Sequence, residues 1–198
     1  MTFESSKNLS AVGALLLVIG SLSSVVPYVG FLSLLGVILL LIGLKGLANF
    51  YKEQGIFNNV LYSIITCIVG AVVAVGAVVI SAVSALADLG IDIANIDEWD
   101  TVGTDLGAIF TDFSDFGAIW NLIGAVIVGV IILFVTVIIS MYFFRKSMDQ
   151  LSTKSGISLF GTAGLLMLIG AVIPIIGLLI IWIGYILATV AFFQMKQE

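Results

Sequence analysis

Read from its first residue, the chain alternates long apolar runs with short polar gaps, and the run lengths set the architecture. The first run spans Leu9 to Val26, Pro27-Tyr28 interrupts it, and the second spans Val29 to Leu47. One membrane crossing needs about 20 apolar residues, so this stretch holds two, turned at Pro27 and its neighbouring glycine. The third and fourth runs, Val60 to Ala87 and Ala118 to Phe144, would each build about 40 Å of helix. Against a hydrocarbon core of about 30 Å, they must tilt or project. The last block, Ile157 to Phe193, is again too long for one crossing, and Pro174 divides it. The pattern therefore predicts an all-α, polytopic transmembrane bundle of six spans in three hairpins. The spans lie at about 9–26, 29–47, 60–87, 118–144, 157–173 and 175–193, within a single membrane domain covering 1–198.

One alternative concerns the N-terminus, where Lys7 followed by AVGALLLVIGSLSS has the outline of a secretory signal peptide. The balanced charge of the leading residues, Glu4 against Lys7, and the resumption of the apolar run after Pro27 favour a span.

Between the third and fourth runs lies the one sizeable polar segment, 88–117. Within it Leu106, Ile109, Phe110, Phe113 and Phe116 recur with helical spacing, and Asp112 and Asp115 point elsewhere. This predicts an amphipathic helix from Thr104 to Phe116, lying on the outer membrane surface or capping the bundle. Trp99 and Trp120 suit the interfacial aromatic belt.

Charge gives the chain an orientation. It has 7 basic and 12 acidic residues, 10% charged against 61% hydrophobic, with a mean hydropathy of +1.29. In a six-span arrangement Lys7, Lys45, Lys52, Arg145, Lys146, Lys154 and Lys196 all fall on one side. By the positive-inside rule that side is cytoplasmic and holds both termini. The other side carries the eight acids from Asp88 to Asp115 and no base, so −8 outside and +3 inside give the net −5. The expected location is a cell membrane, with 88–117 extracytoplasmic.

The first and last hairpins share marks. LLLVIG at 15–20 matches LLMLIG at 165–170, and PYVG at 27–30 matches PIIG at 174–177. These suggest an internal duplication with both hairpins entering from the same side. The stretches KNLSAVGALLLVIG, VPYVGFLSLLGVILLLIG and, at 55–74, GIFNNVLYSIITCIVGAVVA resemble a prokaryotic, largely archaeal group of multi-pass membrane proteins classed as a domain of unknown function. The resemblance covers most of the chain outside 88–118. It implies an archaeal source and brings no activity or functional residue with it.

Candidate functional positions are few. Glycines seven apart return to nearly one helix face: Gly13 with Gly20, Gly36 with Gly43, Gly177 with Gly184. Small-xxx-small pairs add Gly70 with Ala74 and Ala125 with Gly129. In lipid such residues let backbones approach, either within the monomer or in a homo-oligomer or membrane complex. Asp97, Glu98 and Asp100 offer oxygen ligands for a cation, but without the residue order of a calcium loop. A solvated acidic face is the plainer reading. Trp99, Phe110, Phe113 and Phe116 beside Asp112 and Asp115 form the best candidate for a partner surface.

The chain has no histidine, and Cys67 is its only cysteine. It also lacks a phosphate-binding glycine loop and any nucleophile–base arrangement. No Asp, Glu, Arg or His falls at the expected midplane of a span, where pumps and proton-coupled transporters place their ionisable groups. The hydroxyls of Ser63, Thr66, Ser81, Ser84, Thr136 and Ser140 either bond within and between helices or line a neutral pore. No cofactor, resident metal or nucleic-acid partner is expected, and lipid is the expected surroundings. The leading expectation is a non-enzymatic structural or accessory subunit. The alternative is a channel or facilitator for a small neutral solute or a cation, served by the acidic outer mouth.

Overall fold

The computed structural model describes residues 2–24, 30–88 and 116–196. Among these there are six α-helices and no strand: α1 (Phe3–Gly20), α2 (Gly30–Phe50), α3 (Gly55–Asp88), α4 (Phe116–Ser155), α5 (Ser158–Val172) and α6 (Ile176–Gln194). The fold is all-α, a helical bundle. The Thr104–Phe116 amphipathic helix read from the sequence lies outside the described residues up to Phe116, the first residue of α4. The turn at Pro27 also lies outside them.

Local chemistry fixes the helix ends. Thr2 caps α1 by accepting from the Ser5 N–H at 3.3 Å, with Glu4 in the first turn where the helix dipole favours an acid. Ser21–Ser24 then tighten the chain into a 3₁₀ turn. After α2 the Lys52 N–H bonds Asn49 O (3.3 Å) and the Glu53 N–H bonds Ala48 O (2.9 Å). This is a Schellman closure, and its left-handed position is taken by Lys52 (φ 53°) in place of the usual glycine. Gly156 (φ 71°) serves the same purpose after α4. Between α5 and α6 the Ile176 N–H donates to Pro174 O at 2.8 Å around Ile175 (φ 67°, ψ −71°). That is the rare, strained form of γ-turn, which reverses the chain in the fewest residues.

The chain forms two compact units, Met1–Cys67 with Val137–Glu198, and Ile68–Thr136. In the first, α1 packs on α2, α5 on α6, and α1 on α6. Its core is Leu44, Leu47, Ile56, Val60, Met148, Leu151, Phe160, Met167 and Phe192, each at most 1% exposed. The Phe160 and Phe192 rings meet at 4.8 Å, tilted to 66°, a favourable edge-on arrangement. In the second unit Gly70 lies against the Thr136 side chain, and Gly129 against Val78 and the Ala74 carbonyl.

Among the described residues four helices are long and apolar enough to cross a membrane: α2, α6, and the apolar lengths Gly55–Ser84 of α3 and Ile123–Ser155 of α4. The other two fall short of that measure for identifiable reasons. α1 devotes its first two turns to the polar FESSKNLS. α5 stops at Val172, ahead of Pro174, and its 15 residues rise only about 23 Å. The six-span count is thus not established by helix length. α3 and α4, at 34 and 40 residues, are about 50 and 60 Å long, longer than one crossing requires. In the windows of α3 and α4 only 17% and 11% of residues are buried, against 33% in α2 and α6. Most of their Val and Ile side chains therefore face outward, as lipid-facing helices require.

Candidate functional site

In the first unit polar side chains join the helices at several levels along their length, and the basic residues gather toward the N-terminus of α1 and the C-terminal ends of α2, α4 and α6. Asn59 on α3 donates to Gln150 Oε1 on α4 at 3.2 Å, and the Ser147 hydroxyl donates to Ile56 O at 2.5 Å. Ser63 and Ser140 hydroxyls lie 2.9 Å apart, and Ser140 Oγ is also 2.9 Å from Ser63 O. Ser140 has one proton and gives it to that carbonyl, so Ser63 must be the donor between the two hydroxyls. The Trp182 indole N–H donates to Val18 O (3.2 Å), and the Lys7 ammonium to Met195 O (3.3 Å), tying α1 to the chain of α6. Every buried side-chain nitrogen and oxygen among the described residues has a hydrogen-bond partner.

All seven basic residues lie in this unit. Lys7 pairs with Glu4 (2.9 Å), Arg145 with Asp149 (3.4 Å) and Lys154 with Glu53 (3.5 Å). Lys45 sits 5.9 Å from the centre of the Phe57 ring, within cation–π range. Among the described residues Lys45, Lys52, Lys146 and Lys196 have no carboxylate partner. Two clefts open here. One of about 220 Å³ lies among Phe50, Tyr51, Ile157 and the lysines Lys154 and Lys196. The other, about 320 Å³, is more open and lies between Lys146, Asp149, Thr153 and Lys154.

The glycines singled out by spacing are placed as follows. A β-carbon on Gly13 would lie 2.5 Å from Leu40 N and 2.7 Å from Gly36 O, so α1 and α2 touch backbone to backbone. Gly20 faces Ser33, and Gly43 faces Ser10 in the same seam. Gly177 meets the carbonyl of Gly170, and Gly184 meets Met167 and Ala163 O, joining α5 to α6. Pro174 stands in the turn between those two helices. The stripes thus work within each hairpin. Asp97, Glu98, Trp99, Asp100, Phe110, Asp112, Phe113 and Asp115 all lie outside the described residues. The clefts were not foreseen: Lys154 and Lys196 entered the sequence reading only as markers of orientation. Their signal was the gathering of bases at helix ends next to the aromatic pair Phe50-Tyr51.

A bundle of apolar helices with its bases at one end and its glycine seams inside the hairpins is that of a helical membrane protein. Over residues 32–192 the chain matches the family model described as protein of unknown function (DUF996). It belongs to that family. It is similar to the uncharacterized protein MJ1644 of Methanocaldococcus jannaschii, 27% identical over 202 residues, covering 100% of this chain and 96% of that one. No solved structure matches it.

Proposed function

We propose that this protein crosses the membrane six times, with its base-rich helix ends and both termini in the cytoplasm and residues 88–117 outside. In that position it serves as a structural or accessory subunit and performs no catalysis of its own. The observation that carries this reading is the internal satisfaction of the first unit. Its Ser, Asn, Gln and Trp side chains bond one another or backbone carbonyls across helices, and its hairpins close at glycine backbones. A catalyst or carrier keeps polar groups aimed at its ligand, whereas a scaffold commits them to its own cohesion. Partner recognition then falls to the acidic outer segment, with its Trp99, Phe110 and Phe113.

The hairpin duplication is part of the same proposal. Ser10, Gly13, Ala14 and Gly20 of α1 are buried, and so are the α5 residues 150 positions later, Phe160, Ala163, Gly164 and Gly170. A facilitator for a cation or small neutral solute is the second reading. It is favoured by the eight carboxylates from Asp88 to Asp115, which would raise the cation concentration at an outer mouth.

Native mass spectrometry of the protein mildly extracted from its own membranes tests the proposal. A stable assembly with a second polypeptide, weakened by neutralising Asp97, Glu98 and Asp100, is expected. A lone monomer or homo-oligomer that conducts ions or solute in liposomes overturns it in favour of the facilitator.

A further inference from the structure

We propose that the cleft between Lys154 and Lys196 binds a phosphoryl group, carried as the headgroup of an anionic phospholipid in the leaflet that the base-rich helix ends face. Four elements build the cleft: Phe50 ends α2, Ser155 ends α4, Ile157 precedes α5, and Gln194 ends α6. Its 220 Å³ is several times the roughly 30 Å³ that one water occupies in the liquid, so it admits a headgroup. Lys154 and Lys196 both line it. Lys196 has no carboxylate partner among the described residues, and Lys154 holds Glu53 only at 3.5 Å with its side chain 42% exposed. Both can turn toward an anion at little cost.

Two further features point to a lipid. Ile157, the N-cap of α5, lines the cleft and offers that helix no side-chain cap, and the dipole at this helix end favours negative charge. Besides the lysines the wall joins Phe50, Tyr51 and Ile157, which suit glycerol and the first acyl carbons, to Ser155 and Gln194, whose polar groups suit a headgroup. Lys154, in the last turn of α4, also answers that helix's own dipole. Lys196 lies beyond α6, and the aromatic wall has no part in that role. Basic pockets among transmembrane helix ends are recurrent sites for anionic headgroups. The proposal holds whichever side of the membrane these ends face.

The test is native mass spectrometry of the full chain in detergent with phosphatidylglycerol or phosphatidylcholine of equal acyl length. Phosphatidylglycerol should bind in preference. Lys154→Gln and Lys196→Gln should each weaken it about fivefold, the effect of one lysine near an anionic surface. Lys52→Gln, outside the cleft, should leave it unchanged. Glu53→Gln, which frees Lys154, should strengthen it. Unchanged thermal melts show that these surface variants remain folded. Equal losses for Lys52→Gln and Lys196→Gln, or equal binding of the two lipids, would overturn the site. Displacement of the lipid by millimolar inorganic phosphate would assign the cleft to soluble phosphate and overturn the lipid assignment.

Discussion

Replacing Gly13 with alanine examines the α1–α2 seam at its tightest point. The added carbon would sit 2.5 Å from Leu40 N, 2.7 Å from Gly36 O and 2.9 Å from Leu40 Cα. Comfortable contact between heavy atoms is about 3.5–4.0 Å, so the two helices must part by about 1 Å. All three neighbours are backbone, so no side chain can rotate aside. Overpacking of this kind costs about 1–3 kcal/mol, and replacing a helical glycine by alanine returns about 0.5–1 kcal/mol. A net loss of about 1–2 kcal/mol is therefore expected. Gly36→Ala meets the same seam from α2, with Gly13 O at 2.8 Å. The double variant should lose less than the two single losses added, since one separation relieves both. The structure supplies its own controls, because a β-carbon on Gly76 or Gly124 would have nothing within 4 Å. Reversible unfolding in mixed micelles, followed by circular dichroism, ranks the five variants. If Gly13→Ala proved as stable as Gly76→Ala, the close backbone approach would be refuted.

Three other outcomes are expected. A double-mutant cycle with Ser63→Ala and Ser140→Ala should give a coupling of about 0.6 kcal/mol and not above about 1.7, the range for interhelical hydrogen bonds in lipid; zero coupling would deny the bond. Gly156→Ala, forced to φ 71°, should destabilise by about 1 kcal/mol in the same unfolding assay. Lys52→Gly, which relieves a lysine at φ 53°, should stabilise by up to about 1 kcal/mol, and a loss would show that Lys52 makes a contact worth more than its strain.

What could be read in the sequence followed from periodicity and length. The apolar runs announced helices, Pro174 announced a break, and the seven-residue glycine spacing picked out faces. Those cues say which face is narrow but not which helix lies across it. Gly13 meets Leu40 and Gly36 of its own hairpin because the short connection brings α2 back alongside α1, a matter of tertiary geometry. Apolar runs give span lengths and not helix ends, because polar residues can continue a helix. α4 runs on from Phe144 to Ser155 because Ser147, Met148 and Leu151 still face the core while Arg145, Asp149 and Lys154 are at least partly solvated. Asn59 and Gln150 are 91 positions apart, so no local pattern could pair them. The lysine cleft is assembled from four helix ends and is invisible to any single stretch.

The accessory-subunit reading depends on the base-rich ends lying in the cytoplasm. Single cysteines at positions 97, 154 and 196, introduced after Cys67→Ser, can be probed with a membrane-impermeant maleimide in right-side-out and inverted vesicles. Labelling of 154 and 196 only in inverted vesicles, and of 97 only in right-side-out ones, is predicted. Labelling of 97 and 154 from the same side would contradict the six-span account.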